Sequence, residues 1–198
     1  ASLRSMETTA PRVALHFKSS PFGSGTHSHA DQNSFTLQIN NKPVLLDSGY
    51  YDWWGSPHWL QWYAQTRAHN AITYNGGIGQ RIRDASAAGR VVAFADHDSS
   101  VYVSGDATAA YDAPVQRAHR AIIFQRPGTL ATIDHVAADR PLRWEWNLHT
   151  RQPLQRMSSH RFRLYDEQAK AGVCLDIIEP AEFDFVQSDR FTTPPEPS

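Results

Sequence analysis

The chain is punctuated too often to form long elements. Arg12-Val-Ala-Leu-His-Phe-Lys puts Val13, Leu15 and Phe17 on one face of a half-buried strand. Asn40-Asn-Lys reverses the chain into Pro43-Val-Leu-Leu-Asp47, where an apolar run stops at an acid followed by Ser48-Gly49, so Asp47 falls at a strand end. After the Asn75-Gly76-Gly77 turn the same rhythm continues through strand-like runs at 89–95, 100–105, 118–124, 129–136, 142–149, 161–165 and 173–178. Many short strands at regular spacing predict an all-β chain, an antiparallel β-sandwich. With 198 residues it is long enough for one substantial core. We expect a flexible lead-in at 1–11, one sandwich domain at 12–191 and a frayed, Pro-rich tail at 192–198.

Two stretches interrupt this pattern. The first, Gly23-Ser-Gly-Thr-His27-Ser-His29-Ala-Asp31-Gln-Asn33, sets two histidines, an aspartate and an asparagine behind a glycine-rich turn. Read as a strand, His27, His29, Asp31, Asn33, Phe35, Leu37 and Ile39 share one face that is polar and then apolar, which places the histidines at the rim of a core. The alternative is an Asx-type turn at Asp31 and Asn33 that interrupts the strand. The second stretch, 50–65, holds four tryptophans and three tyrosines without a clean period of two. Its later part, from Ser56, can open a short helix with Ser56 as cap and Pro57 in the first turn. Its aromatic density serves either packing of a loop over the core or a carbohydrate groove. Thr66-Arg67-Ala68-His69-Asn70-Ala-Ile-Thr-Tyr then resumes strand character.

Composition narrows the function by exclusion. The formal net charge of −1 gives no global pull toward nucleic acid, and no apolar run is long enough to span a membrane. Between Arg140 and Arg163 six arginines face one acid, Glu145, which reads as a solvated sheet face or as a surface for an acidic polymer. The single cysteine, Cys174, excludes an internal disulfide and a thiolate metal cage; within Val173-Cys-Leu-Asp-Ile-Ile it reads as a buried strand residue. The chemistry is left to imidazole and carboxylate. His27, His29, Asp47 and His69 fall near strand ends, and two imidazoles with a carboxylate suit Zn²⁺. With His29, Asp47 and His69 as ligands, His27 is left to face substrate as an acid or base.

Phe17-Lys-Ser-Ser-Pro-Phe-Gly-Ser-Gly-Thr-His27-Ser-His29-Ala-Asp31-Gln-Asn33-Ser-Phe, Leu46-Asp47-Ser-Gly-Tyr-Tyr and Thr66-Arg67-Ala-His69-Asn70-Ala-Ile together resemble the heparinase II/III-like polysaccharide lyases, in their C-terminal β-sandwich domain. The match covers about residues 13–80 and continues more weakly through Arg117-Ala-His-Arg120 and Trp144-Glu-Trp-Asn-Leu-His149. The resemblance implies cleavage of a uronic-acid-containing polysaccharide, heparan-like or alginate-like, by β-elimination. His27 would match the catalytic histidine of the cleft, and His29, Asp47 and His69 the ligands of a zinc that organises the cleft rather than activating water. Arg67, Asn70, Arg81 and Arg83 are the candidate substrate-facing groups. The family's tyrosine acid/base comes from an N-terminal helical (α/α) toroid domain that this chain has no helical repeats to supply. The expectation is therefore a lyase domain inactive by itself, a partner of that toroid and of an acidic polysaccharide or oligosaccharide, in a periplasmic or secreted enzyme.

Two other readings compete. A His-x-His pair followed by a distant histidine also occurs in cupins, but the glutamate expected after the pair is missing. A non-catalytic carbohydrate-binding module would use the aromatic stretch 50–65 without chemistry.

Overall fold

A computed structural model describes residues 2–4, 11–25 and 27–197. The alternation read from the sequence becomes two main antiparallel sheets. The first, in the order β1-β2-β3-β4, comprises Ser2–Arg4, Val13–Lys18, Ser34–Ile39 and Lys42–Leu45. The second is the meander β6-β7-β8-β9, of Arg90–Asp96, Ser100–Asp106, Val115–Gln125 and Thr129–Ala138. A third sheet, β11-β12-β13, holds Gln155–Arg156, Arg161–Asp166 and Ala171–Asp176, and a ribbon pairs β5 (Ile72–Tyr74) with β10 (Trp144–Trp146).

Inward residues of the sheets meet in one core: Leu15, Phe17, Phe35, Leu37 and Ile39 from the first, Val101, Val103, Ile122 and Phe124 from the second, and Leu164 from the third. Each such side chain, taken fully out of water, contributes about 1.5–3 kcal/mol. Sheet packed on sheet around one core is the antiparallel β-sandwich expected from the strand rhythm. Asn40 and Asn41, at φ 51° and 62°, form the tight reversal between β3 and β4.

Several expectations need correction. Part of the expected lead-in is structured, since Ser2–Arg4 pairs with β2; residues 5–10 lie outside the described ones. The Pro-rich tail is docked, not frayed: the Thr193 carbonyl accepts from His58 Nδ1 at 2.5 Å, the Thr193 hydroxyl donates to Gln61 Oε1, and the Glu196 N–H donates to Asp52. Phe191 packs against Tyr51, His58 and Trp62, which supplies the apolar contact that holds this end down. Ser198 is outside the described residues. Cys174 is exposed, because it points away from the face of β13 that carries Val173 toward the core. In the arginine-rich stretch, Arg143, Arg151 and Arg161 pair with Asp184, Asp166 and Asp176, acids that lie beyond it in sequence.

Among the described residues Arg120 and Asp166 are charged side chains that lie inside. Arg120, on β8 and 1% exposed, bonds Asp134 of β9 through Nε (2.7 Å) and Nη2 (3.0 Å). Its Nη1 donates to the carbonyls of Asn33 (2.9 Å) and Asn70 (2.6 Å). Removing one member of a buried pair leaves its partner uncompensated. Arg120→Met should therefore lower the unfolding free energy by about 3 kcal/mol, measured by urea denaturation.

Candidate functional site

Three irregular segments converge at one end of the first sheet: 27–33, 46–49 and the helical stretch 57–69. The first is a loop, not the start of β3. Asn33 adopts φ 59° and the Ser34 N–H donates to the Asp31 carbonyl, so the strand cannot extend back past Ser34; a turn does interrupt it, closed by the backbone rather than by an Asx side chain. The loop is pinned along its length. Lys18 pairs with Asp31, the Ala30 N–H donates to the Ala64 carbonyl, and Gln32 and Gln80 exchange reciprocal amide-to-backbone bonds of 2.8 Å. Asn33 Nδ2 donates to the carbonyls of Gly105 and Ala118; a Cβ at Gly105 would collide with the Asn33 side chain. Before the loop, Gly23 (φ 62°) lies so close to the Asp84–Ala85 backbone that no side chain fits there.

Ser56 caps the expected helix, its Oγ accepting from the Trp59 N–H at 3.0 Å. The helix runs as a π-helix over Trp59–Tyr63, followed by a 3₁₀ turn at Thr66–Ala68, so the strand predicted from Thr66 begins only at Ile72. His69 lies between the 3₁₀ turn and that strand, buried beside Tyr63 and Ala68.

An open cavity of about 230 Å³ is lined by His29, Asp47, Ser48, Gly49, Tyr50, Tyr63, Ala68 and His69. The three expected metal ligands thus face one space. His69 Nε2 lies 3.1 Å from the Tyr63 carbonyl, so it carries the proton and leaves a lone pair on Nδ1. That Nδ1 is 3.0 Å from Asp47 Oδ1, yet both atoms are buried without a hydrogen-bond partner. Two electron-rich atoms held this close favour a proton or a metal cation between them. The His29 ring centroid is 5.2 Å from that of His69. Among the described residues no three His, Cys, Asp or Glu side chains are gathered tightly enough to hold an ion as they stand; Asp47 and His69 form a two-donor corner, with His29 on the wall of the same cavity. These residue types fit zinc.

The electrostatics agree. Burial, reinforced by His69, lowers the His29 pKa to about 4, so its imidazole is neutral near pH 7 and keeps a lone pair. Burial opposes ionisation of Asp47, but the hydrogen bond and positive charge that a protonated His69 offers, with His149 and His29 further off, outweigh it and hold the carboxyl below its ordinary value. Burial and Tyr50 push the Tyr63 phenol up, so it stays protonated.

The remaining expected site residues lie elsewhere. His27 is exposed, outside the cavity lining, with its ring 5.5 Å from Trp54. Asn70 cannot face substrate: it is fully buried, its Nδ2 donates to the carbonyls of Phe35 and Leu46, and its Oδ1 accepts the His149 N–H. Arg81 is likewise committed, to Asp84, Asp112 and the carbonyls of Ala109 and Tyr111. Arg67 lies over Trp62 and donates to the Gln61 carbonyl, away from the cavity. Arg83 is exposed in a left-handed turn (φ 56°). Sequence reasoning missed Tyr50 and Tyr63 as cavity walls, although both belong to the aromatic stretch. It also missed His149, whose pKa burial lowers and whose charge is felt by Asp47.

Fold and site together define an antiparallel β-sandwich domain with a histidine–carboxylate cavity at one sheet end. The family described as "Heparinase II/III-like, C-terminal" matches residues 5–179, and the chain belongs to it. Among solved structures, the heparan sulfate lyase HepC from Pedobacter heparinus is similar over 84% of this chain and 25% of its own, at 19% identity and a TM-score of 0.67. Heparinase III is similar over 84% of this chain and 26% of its own, at 17% identity and a TM-score of 0.62. The chain spans about a quarter of the length of either relative. Among the described residues no helix is long and apolar enough to cross a membrane.

With His69 neutral, the facing lone pairs give a signed prediction. In Asp47→Asn the amide N–H can donate to His69 Nδ1, so without metal the variant should be as stable as the parent or more stable by about 1 kcal/mol, while its zinc affinity falls. Thermal unfolding with and without chelator measures both.

Proposed function

We propose that this chain is the sandwich domain of a polysaccharide lyase that cleaves a uronic-acid-containing polymer, heparan-like or alginate-like, by β-elimination. The observation that carries the reading is the pair of unpartnered buried atoms, Asp47 Oδ1 and His69 Nδ1, facing the cavity that His29 also lines, in a chain of the heparinase II/III-like family. In such a reaction the C5 proton leaves to a base, the C5–H electrons form the C4–C5 double bond, and the C4–O bond breaks with a proton delivered to the departing oxygen. His27, two residues before His29 and exposed, is the group of this chain proposed to exchange a proton with substrate. His29, Asp47 and His69 would hold Zn²⁺, which supplies positive charge that orders the loop ends. Among the expected cationic groups Arg83 alone is both exposed and without an ion pair among the described residues, and it is the candidate for meeting uronate charge at the periphery. Because the expected tyrosine acid/base lies on an N-terminal helical toroid, the chain alone is proposed to be inactive. A periplasmic or secreted location is part of the same proposal.

The exposed aromatics Tyr50, Tyr51, Trp53 and Trp54 favour a second reading, a carbohydrate-binding module without chemistry. One experiment separates them. In the enzyme carrying both domains, His27→Ala should lower kcat about 10²–10⁴-fold, read as loss of ultraviolet absorbance from unsaturated uronate, with polysaccharide binding retained. Unchanged turnover would remove His27 from catalysis and leave the binding module as the better account.

A further inference from the structure

His149 is bonded to both segments that carry the cavity's paired atoms. Its backbone N–H donates to Asn70 Oδ1 at 2.6 Å, its carbonyl accepts the Leu46 N–H at 3.1 Å, and its Nε2 lies 2.8 Å from the Arg67 carbonyl. Leu46 precedes Asp47, and Arg67 and Asn70 bracket His69. The β5–β10 ladder ends at the Ile72–Trp146 pair, and bridging resumes only at Leu45 and Thr150, so 147–149 spans an interval that has no ladder. On the His69 side the chain is a single 3₁₀ turn, Thr66–Ala68, too short to fix its own orientation. Of the three bonds only the one from the ring to the Arg67 carbonyl depends on the side chain. Nε2 therefore carries the proton.

We propose that His149 is a positioning residue for the Asp47–His69 pair: its Nε2–H holds the Arg67 carbonyl and so sets the 3.0 Å approach of His69 Nδ1 to Asp47 Oδ1. This rests on the metal reading above but assigns a residue that reading does not use. A purely packing role would need only the ring, whose edge meets Trp62 at 6.3 Å between centroids. His149→Phe keeps a ring and loses the donor. His149→Gln loses the ring but places an amide N–H the same number of bonds from Cα.

The test uses Co²⁺ as probe, with affinity taken from chelator competition, coordination from visible absorption, and folding from thermal unfolding. His149→Phe should weaken Co²⁺ binding about 10–100-fold and alter the spectrum, and His149→Gln should recover most of both. Parent-like binding in His149→Phe, or an equal loss in the two folded variants, overturns the positioning role alone. If His149→Phe does not fold, His149→Gln decides: near-parental affinity supports the role and full loss overturns it. No Co²⁺ binding by the parent chain would overturn the metal reading, and the positioning role with it.

Discussion

The Arg120 guanidinium is the contact on which the rest of the site depends. It is buried between the sheets, neutralised by Asp134 on the neighbouring strand, and spends its remaining hydrogen-bonding capacity on the carbonyls of Asn33 and Asn70. Those residues end the two loops that carry His29 and His69. Backbone carbonyls in irregular segments have no ladder to satisfy them, and one planar, always-charged group reaches both from inside the core. A lysine could offer charge but not the same fork. Asn70 extends the junction outward to Phe35, Leu46 and His149, so β3, the Asp47 segment and the His149 segment meet through one side chain.

This framework explains how a site of charged and polar groups survives at the end of an apolar core. Each loop is tied by side chains, and among the buried polar atoms left without a hydrogen-bond partner two face the cavity, Asp47 Oδ1 and His69 Nδ1. The 3.0 Å approach of His69 Nδ1 to Asp47 Oδ1 is unfavourable as two lone pairs and favourable around a cation. A bound ion would bridge the two atoms, which is how metal sites commonly couple affinity to structure.

The sandwich was legible because its signals are local. Alternation in Val13–Lys18, the Asn40-Asn41 reversal and the Ser56 cap each require only a few neighbouring residues. The cavity set His29, Asp47 and His69 was legible as residue types near strand ends. What failed depended on distant partners. Asn70 and Arg81 looked available for substrate because nothing local shows that Phe35, Leu46 and His149, or Asp84, Asp112, Ala109 and Tyr111, consume their bonds. The loop at 27–33 mimicked a strand through its alternation, and only the left-handed Asn33 and the Asp31 turn stop it. The tail looked frayed by composition, while Phe191 finds an aromatic surface about 130 residues earlier, a contact of long range that local reasoning cannot see.

The most direct test of the central claim is a crystal of the protein grown with zinc and measured on either side of the zinc absorption edge. The account predicts one anomalous peak in the cavity, within coordination distance of Asp47 Oδ1 and His69 Nδ1, with His29 turned toward it. A well-ordered cavity without such a peak, or a peak at other side chains, would contradict the account.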